Sequence, residues 1–257
     1  MHMSNLLFGE FKLPNRTKKD ILEKIIKHIK NPRGFFHIVS LNPENMVVGL
    51  QNRTFKRVIK SAQLTIIDGI GIEIAARMLN IEAGERYPGV DLMNNLISHI
   101  SDMSLTVLFL GGKTNLADEL AKCYHQNYPQ IKFIGIQGIK DIKKPSREEE
   151  KKIFRIVRAS KPQLVFAAFG SPAQEIWMYK HRRLFSGRVC MGVGGAFDYL
   201  SGRIQRPKAL FRSWGFEWLV RLIKQPWRIF RQLRLIIFMY FVIKQKVDEV
   251  LEIKKSG

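Results

Sequence analysis

Cysteine is nearly absent from this chain of 257 residues, which contains only Cys123 and Cys190. The two residues are far apart in apolar surroundings and lack the paired spacing of a disulfide framework or a zinc site. We therefore expect both side chains to be core thiols of a protein from a reducing compartment.

Acidic residues are also scarce, because 22 Asp and Glu stand against 43 Lys and Arg and leave a net charge of +21. Such an excess indicates a polyanionic partner, which is a nucleic acid, an acidic membrane surface or a phosphorylated substrate. The chain has no Asp-x-Asp pair to hold a divalent ion against a diphosphate, and its six histidines are scattered. We therefore expect no metal site, with phosphates neutralised by basic side chains and backbone dipoles.

Long apolar runs are missing as well. The longest, residues 235–243, is well below the roughly 20 residues that a membrane-spanning helix needs. The first twenty residues lack the apolar segment and cleavage site of a secretory signal. If a membrane is involved, we expect the protein to lie on its surface.

The sequence does contain short apolar segments that alternate with amphipathic ones. This alternation predicts a Rossmann-like α/β fold, with a mainly parallel sheet covered by helices on both faces. The predicted strands are residues 35–40, 64–68, 106–110, 132–137, 164–169 and 189–193. We predict an α/β catalytic domain over residues 1–202 and a basic, amphipathic helical appendage over residues 203–257.

The ends of the predicted strands carry polar residues and glycine-rich turns, and ligands of parallel sheets bind beyond these ends. Ser40 and Asn42 follow one strand, and glycine-rich turns at residues 111–114, 170–174 and 192–198 follow others. A glycine-rich turn before a helix offers backbone N–H groups to phosphates, although any one of them can equally serve only to permit a tight turn. Taken together, the turns favour phosphate binding.

Asp68 is the best candidate for acid–base chemistry. A carboxylate at the mouth of a buried strand, beside glycines that let a substrate approach, can act as a general base. An Asp in such a turn can equally cap the helix that is predicted to begin at Ile72. The local sequence leaves both roles open.

Residues 203–234 are rich in arginine and large aromatic residues, with Glu217 as their only acidic residue. Basic residues recur at helical spacing on one face, and apolar residues fall on another. The apolar face consists of Leu219, Leu222, Ile223, Trp227, Phe230, Leu233 and Ile237. One interpretation is a core-packing helix with a solvated basic back. The dominance of arginine and the clustered tryptophans favour the other, a helix at a membrane interface.

The chain contains, in this order, LNPENM, DGIGIEIAARML, ERYPGVDL, LFLGGK, FAAFGSPAQEIWM and GVGGAFDYLSG, followed by the basic segment. In the order and spacing of these motifs it resembles the WecG/TagA/CpsF glycosyltransferases, glycosyltransferase family 26, over roughly residues 35–234. The resemblance implies the GT-E fold and an inverting, metal-independent enzyme without a cofactor. It also implies transfer from a UDP-sugar to a polyprenyl-diphosphate-linked sugar at the inner face of the bacterial cell membrane, in the synthesis of a surface polysaccharide, teichoic acid or exopolysaccharide.

The resemblance further implies roles for individual residues. Asp68 matches the family's proposed catalytic base, and Ser40, where the family often has Thr, keeps a hydroxyl group. The catalytic residues implied are Asp68, Ser40, Asn42 and Arg86. The residues expected to bind the donor are Gly69, Gly112, Lys113, Gly170, Gln174, Gly194 and Gly195. Arg221, Arg228 and Arg231 match arginines of an appendage that covers the site and contacts the acceptor diphosphate.

The sequence leaves the donor sugar open among N-acetylmannosamine, its uronic acid and glucose. It also leaves the oligomeric state open, including a homo-oligomer. An alternative function, nucleic-acid binding through the same basic residues, explains the charge but not the polar strand ends, and no motif for it is present. A third possibility is that this protein binds a nucleotide sugar but has lost the activity of the family. The presence of Asp68 and the arginines argues against it. We therefore expect an enzyme without a nucleic-acid partner.

Overall fold

A computed structural model of the protein describes residues 6–112, 115–202 and 229–256, with side chains given over residues 233–252 of the last range. It begins with a two-stranded antiparallel hairpin, β1 (Leu6–Leu7) and β2 (Phe11–Lys12). The strands that follow form a single parallel sheet. They are β3 (Phe36–Leu41), β4 (Leu64–Ile67), β5 (Thr106–Gly111), β6 (Lys132–Ile136), β7 (Leu164–Ala168) and β8 (Val189–Gly192).

Four of the helices, the first, second, third and seventh in the order below, begin where a side chain satisfies one of the first backbone N–H groups. Thr17 and Asp20 form a capping box at the first helix, and Ser146 and Glu149 form another at the seventh. The helices are α1 (Lys18–Lys30), α2 (Pro43–Gln51), α3 (Arg53–Ser61), α4 (Ile70–Met78), α5 (Gly89–His99), α6 (Leu116–Asn127), α7 (Arg147–Ser160), α8 (Ala173–Lys180), α9 (Ala196–Leu200) and α10 (Ile229–Ser256).

The strand order of the sheet is β4-β3-β8-β7-β5-β6, and every neighbouring pair is parallel. Successive residues of a strand point to opposite faces. Ile38 of β3 accordingly packs in one apolar cluster with residues of α1, α5 and α6, whereas Val39 packs in another with residues of α2, α3 and α4. The predicted α/β fold with helices on both faces of a parallel sheet is confirmed.

Some local features differ from the sequence-based prediction. The hairpin and α3 were not predicted. Two-residue strands carry no pattern, whereas α3 buries Phe55, Val58 and Ile59, whose helical spacing could have revealed it. The prediction of two core thiols is correct for Cys190, which is buried, and wrong for Cys123, which is exposed on α6.

The last helix, α10, packs on α2 and α4 through one side. Phe238 and Val242 are fully buried in the cluster that also contains Phe55 and Ile72. The side-chain amide of Gln245 donates to the carbonyl oxygen of Leu6 (3.0 Å), and its oxygen accepts from the N–H of Phe8 (2.7 Å). The N-terminal hairpin and α10 are therefore fastened to each other.

Two members of the apolar face predicted for the C-terminal region have described side chains, and neither packs in the core as the core-packing interpretation requires. Leu233 and Ile237, both assigned to that face, are exposed, and Phe238 and Val242 are buried instead. The remaining members of the predicted face lie outside the residues whose side chains are described. The segment that directly follows the predicted domain boundary at residue 202 also lies outside the described residues. None of the helices described here is long and apolar enough to cross a membrane.

Substitution of the buried ring of α10 is expected to weaken its packing. Phe238→Ala should lower the free energy of unfolding by about 3–5 kcal/mol, because it removes a fully buried ring and leaves a cavity. Tyr240→Ala on the same helix is the control, since Tyr240 is 61% exposed and should change stability little. Denaturant titration of both variants measures the difference, and equal losses would contradict the observed orientation of the helix.

Candidate active site

A cavity of about 770 Å³ lies beyond the carboxyl ends of five strands of the sheet and contains most of the predicted site residues. Its lining includes ten of them: Ser40, Asn42, Asp68, Gly69, Arg86, Gly112, Gly170, Gln174, Gly194 and Gly195. A smaller cleft of about 510 Å³ between the start of α1 and α4 contains none of them. The strand-end residues chosen from the sequence therefore meet in one place.

Four predicted residues cannot be located relative to the cavity. Lys113, Arg221 and Arg228 lie outside the described residues. Arg231 is within α10, but its side chain is not among those described. The roles predicted for these four residues stay predictions.

Asp68 is held at the cavity by two loops. Its N–H donates to the carbonyl oxygen of Leu41 (2.9 Å), which continues the pairing of β3 with β4. Its carboxylate oxygen Oδ1 accepts from the N–H of Gly89 (3.1 Å), the first residue of α5. Gly69 is the N-cap of α4 and provides no side-chain cap. The N-cap position of α4 is thus Gly69 rather than Asp68, and the Asp68 carboxylate contacts the start of α5.

Ser40 lies near the end of β3, and Asn42 is the N-cap of α2. Asn42 Oδ1 accepts from the N–H of Asn45 (2.9 Å) and caps α2, with Pro43 in the first turn as the sequence predicts. The amide of Asn45 donates to the carbonyl oxygen of Ser40 (2.8 Å), and its oxygen accepts from the hydroxyl group of Ser171 (2.8 Å). The buried Asn45 thus joins the β3–α2 turn to the β7–α8 turn.

Four glycines of the cavity fall into two pairs with different roles. A Cβ atom at Gly69 would lie 2.9 Å from Pro43 Cδ, and one at Gly71 would lie 2.6 Å from Pro43 Cγ. These two glycines let α4 pack on the first turn of α2, which is a structural role. Gly170 and Gly194 have φ values of 97° and 50°, and a Cβ atom at either would meet no atom within 4 Å. They leave room for a ligand to approach the backbone.

Arg86 lies at the edge of the cavity beside β4. A parallel bridge joins Arg86 to Ile67, the last residue of that strand. The guanidinium Nε is 3.4 Å from Oε2 of Glu73 on α4. This ion pair orients Arg86 along the wall that also contains Asp68.

Gln174 is buried, with 2% of its surface exposed, and hydrogen bonds fix the orientation of its amide group. Its oxygen Oε1 accepts from the N–H groups of Phe169 (3.1 Å) and Gly170 (2.9 Å). Its nitrogen Nε2 donates to Oε1 of Glu175 (2.7 Å). Glu175 lines the same cavity and was not singled out from the sequence, where an acid in the first turn of a helix fits the dipole without further explanation.

The C-terminal helix forms one wall of the cavity. Leu235 and Met239 of α10 are among its lining residues, as is Glu44 in the first turn of α2. Arg234 Nη1 lies 2.6 Å from Glu44 Oε1, so an ion pair joins this wall to α2. Arg234 falls within the basic segment noted in the sequence, but neither residue of the pair was predicted as a site residue.

Comparison with known proteins places the chain in a family. The family model described as "Glycosyl transferase WecG/TagA/CpsF family" matches residues 7–251. The chain belongs to this glycosyltransferase family. It is 31% identical to the N-acetylglucosaminyldiphosphoundecaprenol N-acetyl-beta-D-mannosaminyltransferase of Bacillus spizizenii (strain ATCC 23059 / NRRL B-14472 / W23), over 85% of the chain and 82% of the relative. A protein of the same name from Staphylococcus aureus (strain MRSA252) is 30% identical, over 90% and 94% respectively.

Family membership gives the protein its class of chemistry, which is glycosyl transfer. Of the two functions considered from the sequence, glycosyl transfer and nucleic-acid binding, family membership supports glycosyl transfer. Among the residues that the structure describes, no three His, Cys, Asp or Glu side chains cluster closely enough to hold a metal ion.

Gly192 at the end of β8 is expected to tolerate no side chain in this glycosyltransferase. A Cβ atom there would clash with Gln174 Nε2 and lie 2.5 Å from Glu175 Oε1, and both partners are buried and hydrogen-bonded. Gly192→Ala should therefore lower the free energy of unfolding by about 1–3 kcal/mol, as overpacking does. Denaturant titration measures the loss, and unchanged stability would show that the Gln174–Glu175 pair can move aside.

Proposed function

We propose that this protein transfers N-acetylmannosamine from UDP-N-acetylmannosamine to a polyprenyl-diphosphate-linked N-acetylglucosamine, with inversion at the anomeric carbon and without a metal ion. The observation that carries the proposal is the meeting of Asp68, Ser40, Asn42, Arg86 and Gln174 in one cavity at the carboxyl ends of the strands. The choice of both sugars rests on the names of the two relatives.

Asp68 is the proposed general base. The acceptor hydroxyl attacks the anomeric carbon of the donor, its proton passes to the Asp68 carboxylate, and the bond to the UDP oxygen breaks as the new glycosidic bond forms. A single displacement of this kind inverts the anomeric carbon. The N–H of Gly89 fixes the carboxylate at the cavity wall, and proton transfer by a positioned carboxylate is worth about 10²- to 10⁴-fold in rate.

The leaving diphosphate requires fixed positive charge in this proposal. Backbone N–H groups at the glycine-rich turns and the guanidinium of Arg86 offer it from the α/β body. Arg221, Arg228 and Arg231 of the basic segment are proposed to contact the diphosphate of the acceptor. Lys113 is proposed to contact the donor from the turn after β5.

The outer side of α10 supports action at the cytoplasmic membrane surface. Ile236, Tyr240 and Ile243 are more than half exposed on this helix, although they are large and apolar or aromatic. Exposed apolar side chains on a protein of net charge +21 suit an interface with anionic lipids. A polyprenyl-linked acceptor resides in that membrane, so docking of α10 would bring the cavity to its substrate.

Asp68→Asn tests the base. It should reduce turnover by about 10²- to 10⁴-fold while leaving the fold and UDP binding intact, because the amide keeps the shape of the carboxylate but cannot accept the proton. Asp91→Asn makes the same change in the first turn of α5, outside the cavity lining, and should leave turnover near normal. The assay follows UDP release from UDP-N-acetylmannosamine with a short-chain lipid-diphosphate acceptor. Near-normal turnover of Asp68→Asn would remove it from the role.

The three arginines are tested together. Replacement of Arg221, Arg228 and Arg231 by Ala should abolish transfer to a lipid-diphosphate acceptor in a lipid-containing assay and leave the α/β body folded, since the diphosphate loses its proposed counter-charge. The control replaces Lys151, Lys152 and Arg155 by Ala. These three residues are exposed on α7, so the control removes the same charge elsewhere on the protein. Transfer that survives unchanged in the first variant would contradict the assignment.

A further inference from the structure

Glu175 is an acidic residue buried beneath the cavity. Only 2% of its surface is exposed, and its second carboxyl oxygen, Oε2, has no hydrogen-bond partner among the described residues. No ion pair joins it to a basic side chain in the part of the chain that the structure describes. A buried carboxylate without a cation is costly, so this group needs a physical account.

The contacts of Glu175 connect two turns of the cavity. Oε1 accepts from the amide of Gln174, whose own oxygen holds the N–H groups of Phe169 and Gly170 in the β7–α8 turn. The same Gln174–Glu175 pair lies directly against the backbone of Gly192, where the β8–α9 turn begins. Any displacement of Glu175 therefore changes both turns.

We propose that Glu175 is a positioning residue, which fixes the amide of Gln174 and through it the shape of the β7–α8 and β8–α9 turns that receive the donor diphosphate. The inference rests on the proposed function, because the donor is taken to bind at these turns. Glu175 itself does not enter the reaction. It acts through Gln174 and the backbone that Gln174 holds.

Burial without a cation favours the neutral acid form of Glu175. Burial raises the pKa of its carboxyl group, the Gln174 amide and the Ser171 hydroxyl offset this in part, and the charge of Glu44 from α2 adds to the rise. Glu44 is itself paired with Arg234 of α10, so that cation is already engaged. Among the described residues of α2 and α10, no basic side chain forms an ion pair with Glu175, which favours its protonated state.

A protonated carboxyl group also fits the observed contacts. Its carbonyl oxygen Oε1 accepts from Gln174, and its Oε2, which has no hydrogen-bond partner among the described residues, then carries no charge. A carboxylate would leave a charged oxygen buried without a partner. The neutral form also adds no negative charge beneath a site that is proposed to bind a diphosphate.

Two substitutions separate hydrogen bonding from charge and volume. Glu175→Gln keeps the shape, the neutral state and the hydrogen bond from Gln174, so the KM for UDP-N-acetylmannosamine and kcat should stay within about threefold of the wild type. Glu175→Met keeps the volume but loses the acceptor for Gln174, so KM should rise by about tenfold or more with a smaller change in kcat. Wild-type kinetics in Glu175→Met, or a loss of about 100-fold or more in Glu175→Gln, would overturn the proposal.

A second measurement does not depend on the donor. Hydrogen exchange at the N–H groups of Phe169 and Gly170, which Gln174 holds, should accelerate in Glu175→Met and remain slow in Glu175→Gln. The infrared band of a protonated carboxyl group should be present in the wild type at pH 7 and missing in Glu175→Gln. Unchanged exchange in Glu175→Met, or no such band in the wild type, would contradict the proposal even if the enzyme used another donor. If the wild type does not use UDP-N-acetylmannosamine while exchange and band behave as expected, the proposed donor is wrong and Glu175 keeps its role.

The pH dependence of stability tests whether Glu175 is protonated in the folded state. The folded state holds its proton to higher pH than the unfolded chain, whose carboxyl group has the ordinary pKa of 4.5. Stability therefore falls as pH rises above that value, because only the unfolded state ionises. Glu175→Gln should remove this loss, so its advantage in unfolding free energy over the wild type should grow from pH 4 to pH 8. An advantage that does not change with pH would contradict a neutral Glu175.

Discussion

Parallel pairing of all six strands in the main sheet is the constraint on which the rest of the structure depends. Because the strands run in one direction, their carboxyl ends meet at one edge, and each strand must return through a helix on one face or the other. Residues as distant in sequence as Ser40, Asp68 and Gln174 are thereby brought to one cavity. The backbone at this edge has no further strand to pair with, so side chains such as Asn42 and Gln174 satisfy its N–H groups and fix the turns.

This constraint explains how much of the site could be predicted from sequence. A parallel sheet can be inferred from apolar segments alternating with helical ones, and its strand ends can then be read directly, which leads to Ser40, Asn42, Asp68 and Gly170 without any contact information. The general-base role proposed for Asp68 needed the family resemblance as well, because the local sequence suits a helix cap equally. The sequence could not show that the carboxylate accepts from Gly89 at the start of α5, 21 residues along the chain.

Other features depend on contacts between distant segments and leave no local pattern. Apolar residues cover most of the circumference of α10 between Leu235 and Ile243, so periodicity could not select Phe238 and Val242 as the buried side. Their burial follows from the surface that α2 and α4 present, together with the Arg234–Glu44 ion pair. Since Leu235 and Met239 of the same helix line the cavity, the C-terminal helix determines the shape of a site whose other walls come from the α/β body.

The two acidic residues Asp68 and Glu175 differ in a way that charge counting cannot show. Asp68 meets a backbone N–H at the start of a helix, whereas Glu175 is buried, and burial raises the pKa of its carboxyl group more than the Gln174 amide lowers it. Had both been ionised, two negative charges would lie in the lining of one cavity and offset part of the positive charge of Arg86. Environments that separate two carboxyl groups in this way assign them different tasks. In the proposed reaction Asp68 takes a proton, and the role proposed for Glu175 is to keep one.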